Sequence, residues 1–81
     1  MSDTNIRIAA GIALKSLIKK HYSSQQAFAD DFGVELRTIS RYVTTGIRDV
    51  ETIQEIADFF DMDITDYLQM AKQLTDSWSK L

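Results

Sequence analysis

Ser24-Gln25-Gln26-Ala27-Phe28-Ala29-Asp30-Asp31-Phe32-Gly33-Val34-Glu35-Leu36-Arg37-Thr38-Ile39-Ser40-Arg41-Tyr42 is the stretch that decides the fold. It reads as two short helices joined by a tight turn. The first begins at Ser23 or Ser24, and Ser23 with Gln26 fits a capping box, in which two side chains satisfy exposed amides reciprocally. Ala27, Phe28, Asp31 and Phe32 carry it to Gly33, a residue free to take positive φ and end a helix. After Val34 the spacing predicts a second helix from about Glu35 to Val43, stopped by Thr44-Thr45-Gly46. Two helices crossing steeply need a small residue at the crossing, and Ala29 is there. Phe28, Phe32, Val34, Ile39 and Tyr42 supply apolar anchors. Arg37, Ser40 and Arg41 keep the outward face of the second helix polar.

Working outward, the 3.6-residue period predicts three more helices. One precedes the pair, from about Thr4 to Lys20, with Asp3 or Thr4 as its cap. Its apolar set is Ile6, Ala9, Ala10, Ala13, Leu14, Leu17 and Ile18, widened by Ile8 and Ile12. Gly11 inside it costs about 1 kcal/mol relative to alanine. Close packing of another element explains such a glycine, and so does drift. A fourth helix is expected from about Val50 to Phe60, with Val50, Ile53, Ile56, Ala57 and Phe60 on one face. Asp63 then caps a fifth, containing Tyr67, Leu68 and Ala71 and extending toward Leu74, Trp78 and Leu81. The expectation is an all-α fold of five helices, a domain over 1–70 with a C-terminal extension over 71–81.

The bulk numbers exclude several function classes. Eighty-one residues suffice for one domain. A chain this short buries only about 60–65% of its unfolded surface, which leaves no room for an enclosed active site. With no cysteine and one histidine, His21, the sequence cannot supply a zinc site. His21 reads as a surface or capping residue. Asp61-Met62-Asp63 lacks the sequel that a calcium loop needs. Nothing pairs a nucleophile with an activated base, so no enzyme, cofactor or metal is expected. No apolar run approaches the ~18 residues of a membrane span. Arg7 interrupts the apolar stretch Ile6–Leu14, which does not read as a signal peptide; the cytoplasm is the expected compartment.

The net charge is −3. Residues 1–48 carry seven basic and four acidic side chains, hence +3; residues 49–81 carry two basic and eight acidic, hence −6. One pole can therefore be electropositive although the whole is not, and local field matters more than total charge for steering a polyanion.

The ordered set Ser24-Gln25-Gln26-Ala27-Phe28-Ala29, Phe32-Gly33-Val34 and Thr38-Ile39-Ser40-Arg41-Tyr42 resembles the phage repressor and Cro-like helix-turn-helix family of the xenobiotic-response-element type. Thr52-Ile53, Ile56-Ala57, Phe60 and Met62 resemble that family's fourth helix, and Asp63-Ile64-Thr65-Asp66-Tyr67-Leu68 its fifth. The likeness spans roughly residues 5 to 69. It implies a five-helix lambda-repressor-like domain that binds double-stranded DNA as a transcriptional regulator, by occupying an operator with its third helix in the major groove.

By position, the resemblance implies base contacts from Leu36, Arg37 and Arg41. It implies phosphate contacts from Gln25, Ser40, Thr44, Thr45 and Arg48. Leu36 either touches a thymine methyl or packs inward. Two arginines one turn apart are, in an arbitrary helix, simply solvated; in this constellation a guanidinium fork can take guanine O6 and N7 together. Lys19 and Lys20 either reach backbone phosphate or end a solvated helix. Glu35, Val43 and Arg48 depart from the family's usual cap residue, glutamate and proline. Such repressors usually bind as dimers, so a homodimer is expected. Leu74, Trp78 and Leu81, at i, i+4 and i+7, either cap the core or form its interface. The alternative is a protein-interaction module on the same fold that does not bind DNA, which the acidic second half favours.

Overall fold

The computed structural model describes residues 3–79, with side chains described from 6 to 74. It has five helices: α1 (Asp3–His21), α2 (Gln25–Phe32), α3 (Leu36–Thr45), α4 (Val50–Phe59) and α5 (Ile64–Ser79). There is no strand among the described residues, and no described helix is long and apolar enough to cross a membrane.

α1 is the central element, packed against both α5 and α3. Its inward positions are small: Ala9, Ala10 and Ala13 are buried beside Leu14, Leu17 and Ile18. Small side chains let neighbouring backbones approach, and Gly11 is the extreme case. A Cβ there would collide with the Tyr42 carbonyl oxygen of α3, so this glycine is explained by close packing. Ile6, expected on the core face, is half exposed at 50%, because it lies a turn ahead of the stretch that α3 and α5 cover.

The α2–α3 turn forms as its residue types dictate. Gly33 takes the left-handed conformation (φ 87°, ψ 30°). Its N–H and that of Val34 both donate to the Ala29 carbonyl, at 2.9 and 3.0 Å, which satisfies the end of α2. Ala29, at the crossing, is fully buried. The N-terminus corrects the expected capping box. Ser24 is the cap, accepting from the Ala27 N–H at 3.1 Å, while the Gln26 amide donates to Asp30 at 2.8 Å. With alanine three residues after the true cap, no reciprocal bond exists. Glu35 heads α3 with no side-chain cap bond.

Phe28 is the hub of an aromatic cluster. It stacks on Phe32 (5.2 Å, 15°) and Phe60 (5.5 Å, 10°), with Phe59 and Tyr22 edge-on. The cluster ties α2 to the end of α4. Tyr22 also donates to Asp31 at 2.7 Å, and that bond raises the Tyr22 pKa. On the other side Tyr67 of α5, fully buried, donates its hydroxyl to the Ala10 carbonyl of α1 at 2.7 Å.

Two further differences concern the second half. Val50 is 68% exposed; it is the first residue of α4, ahead of the turns that reach the core. Ile47, which has no place in any helical period, is fully buried. Its N–H donates to the Arg7 carbonyl at 3.0 Å, so the α3–α4 loop is sealed onto α1. Burial of such a side chain is worth about 1.5–3 kcal/mol. α5 runs unbroken from Ile64 to Ser79. Ala71 is buried, and Leu74 packs half-buried against the core.

Candidate nucleic-acid interface

α3 shows two faces. At 100° per residue, Leu36, Ser40, Thr44, Arg37 and Arg41 occupy an arc of about 140°, and all five are exposed. Ile39, on the opposite side, is fully buried, with Tyr42 and Val43 half-buried beside it. Leu36, open between two readings from sequence, is 39% exposed. The side chains of Arg37, Ser40 and Arg41 are exposed on α3 and so are open to solvent. α3 also runs two residues past the expected end at Val43, to Thr45, which lengthens the helix by about half a turn.

At its end α3 meets Gly46 (φ 104°, ψ 173°), whose N–H closes on the Tyr42 carbonyl at 3.1 Å. A Cβ on Gly46 would lie 2.8 Å from the Arg7 carbonyl carbon and oxygen. Backbone thus lies on backbone here, and the loop is held on α1 by this contact and by the Ile47–Arg7 bond. The consequence is an assembly of charge. Arg7 from α1, Arg41 from α3 and Arg48 from the loop line one open cleft of about 590 Å³, with Tyr42, Thr45, Asp49 and Thr52. Among the described residues none of these three guanidinium groups forms an ion pair.

The structure brings together Arg41, Thr45 and Arg48 of the sequence candidates. Gln25, half-buried at the start of α2, is not part of the cleft. The resemblance gives Thr44 and Thr45 a phosphate role, but their hydroxyl protons are turned back on α3. Thr44 donates to the Ser40 carbonyl and Thr45 to the Arg41 carbonyl, each at 2.8 Å. Leu74 faces its own core; the side chains of Trp78 and Leu81 lie outside the described residues, as do those of Asp3 and Thr4.

Arg7 is the residue sequence reading missed. It stood out only as a charge interrupting an apolar stretch. The sign that it is exposed is that interruption itself, on a helix otherwise packed on several sides.

A second cleft, of about 320 Å³, lies at the α4–α5 turn and is lined by Asp58, Asp61, Met62, Asp63 and Asp66. The described residues contain no group of acids and histidine arranged to hold a metal ion. Comparison of the chain with protein-family models, with curated proteins and with solved structures finds no match.

Proposed function

We propose that this chain is a sequence-specific DNA-binding regulator of the phage repressor and Cro-like helix-turn-helix type, which seats α3 in the major groove of an operator as a homodimer in the cytoplasm. The observation that carries the reading is the two-faced α3. Its buried side is fixed by Ile39 and its exposed arc offers Arg37, Ser40 and Arg41 without an internal partner to compete for them. The major groove admits one α-helix, and base edges there are read by such side chains. Gln25 and Arg48 add phosphate contacts, as the resemblance implies for their positions. The chemistry is binding, not catalysis.

The test is a selection on random duplex DNA at moderate salt, with Arg37→Ala/Arg41→Ala as control. The expected result is enrichment of an inverted repeat with half-sites about 34–36 Å apart, lost in the control. Binding should weaken with salt at a log–log slope of about −0.9 per neutralised phosphate. The second reading, a protein-interaction module, draws on the four aspartates around the α4–α5 turn and on exposed Ile6 and Ile8. Absence of enrichment from folded protein selects it.

A further inference from the structure

Arg7, Arg41 and Arg48 belong to three segments far apart in sequence, yet the loop geometry holds them round one space. Arg7 is the residue whose carbonyl receives the Ile47 N–H, Arg48 follows Ile47 directly, and Arg41 lies about one turn before the end of α3. Three guanidinium groups against the single carboxylate of Asp49 leave the lining at +2. A phosphomonoester carries about −1.5 to −2 near neutral pH. Guanidinium forks pair with phosphate through two parallel hydrogen bonds. The volume of about 590 Å³ falls within the roughly 300–1,000 Å³ of small-molecule sites. The space is concave, whereas the face of α3 that enters a groove must protrude. A duplex reaches the rim of such a cleft; a small ligand enters it.

We propose that this cleft binds a small phosphomonoester free in solution, and that its occupant and the operator exclude one another because Arg41 and Arg48 serve both. The exclusion rests on the DNA-binding reading; the ligand site does not. Coupling of this kind is reciprocal, so DNA must lower ligand affinity by the factor by which ligand lowers DNA affinity.

The experiment titrates the full chain with adenosine 5′-monophosphate at physiological salt, with adenosine as the neutral control, and follows backbone amide resonances. Saturable shifts are expected around residues 7, 41 and 45–52, with none from adenosine. Arg7→Gln is expected to weaken binding by about tenfold or more, as loss of a charge-assisted fork should, with an otherwise unchanged spectrum, since only the Arg7 backbone holds the loop. Absence of saturation, an equal response to adenosine, or an unaffected Arg7→Gln protein overturns the site. In a second arm the nucleotide is added to the protein–operator complex. Release that Arg7→Gln abolishes supports exclusion; an unchanged operator affinity overturns it. A protein that binds the nucleotide but no duplex refutes the DNA-binding reading, and the exclusion with it, while leaving the site. Weakened operator binding by Arg7→Gln without any nucleotide binding makes the cleft a seat for the DNA backbone and overturns the proposal.

Discussion

The loops at the two ends of α4 make an instructive contrast. Each contains a residue at positive φ: Gly46 at 104° before the helix, Asp61 at 59° after it. The first loop lies under α1, backbone against backbone, and gathers three arginines with one acid. The second lies at an acidic surface cleft among four aspartates. A chain of net charge −3 therefore presents a positive pole at the end of α3. The contrast also separates two grounds for positive φ. At Gly46 the neighbouring chain forbids a side chain; at Asp61 one is present.

The largest expected effect comes from breaking the first loop. Gly46→Ala adds a Cβ 2.8 Å from Arg7 backbone at a φ few side chains adopt. Conformational strain and overpacking together should cost about 3 kcal/mol or more. Gly33→Ala is the control: its φ is also positive, but nothing lies within 4 Å of the added atom, and about 1 kcal/mol is expected. Urea unfolding of both proteins decides the point. Equal losses would mean that the contact with α1 does not hold the loop.

Next in size is the functional consequence of the positive pole. Arg41→Ala should lose about 1–3 kcal/mol of operator binding, the value of a bidentate base contact, with an unfolding midpoint like wild type because the side chain is exposed. Asp66→Asn, at the opposite pole, should change operator affinity far less. Fluorescence anisotropy with the selected operator reads both. An Arg41→Ala protein that binds like wild type removes α3 from the recognition role.

How much of this was legible in the sequence depends on the kind of contact. The five helices and the Gly33 turn were, because periodicity and turn chemistry are local. The exposed arc of α3 followed from the same period. Ser24 displaced Ser23 as the cap because two adjacent serines offer the same chemistry, and only the entry of the chain chooses between them. Val50 fits an apolar period yet finds no partner, since burial depends on what lies above a residue. Ile47 and Arg7 were out of reach. Their positions come from one backbone bond between segments forty residues apart, and Gly11 and Gly46 announce that contact without naming its partner.

The two poles are tied through α5. Tyr67 adjoins Asp66 of the acidic cleft, while its hydroxyl reaches the Ala10 carbonyl of the helix that bears Arg7. Tyr67→Phe should cost about 1 kcal/mol at neutral pH, the net worth of one hydrogen bond. Burial also pushes the Tyr67 pKa upward. The unfolded chain loses this proton near pH 10 and the folded chain holds it. The contribution is therefore complete below about pH 10 and is lost as pH rises, by about 1.4 kcal/mol per unit. Tyr22 is shifted in the same direction but is common to both proteins, so the difference between wild type and Tyr67→Phe isolates Tyr67. Parallel alkaline stability curves would show that the phenol ionises without leaving its site.

The smallest effect tests whether the second loop is constrained at all. Asp61 keeps positive φ with a side chain, beside Asp58, Asp63 and Asp66. Asp61→Gly removes the strain and one charge together. It also widens the unfolded ensemble, which offsets part of the gain. Relief of about 1–2 kcal/mol of left-handed strain, less about 0.4–1 kcal/mol for the wider unfolded ensemble, leaves a net stabilisation of about 0.5–1 kcal/mol. Asp61→Asn keeps the side chain and removes only the charge, so it should give a smaller gain that fades with added salt as repulsion is screened. The part of the glycine gain that survives high salt then measures the backbone strain. If both substitutions destabilise the fold, the Asp61 carboxylate makes a stabilising contact at this turn, and the two loops are held by contacts alike.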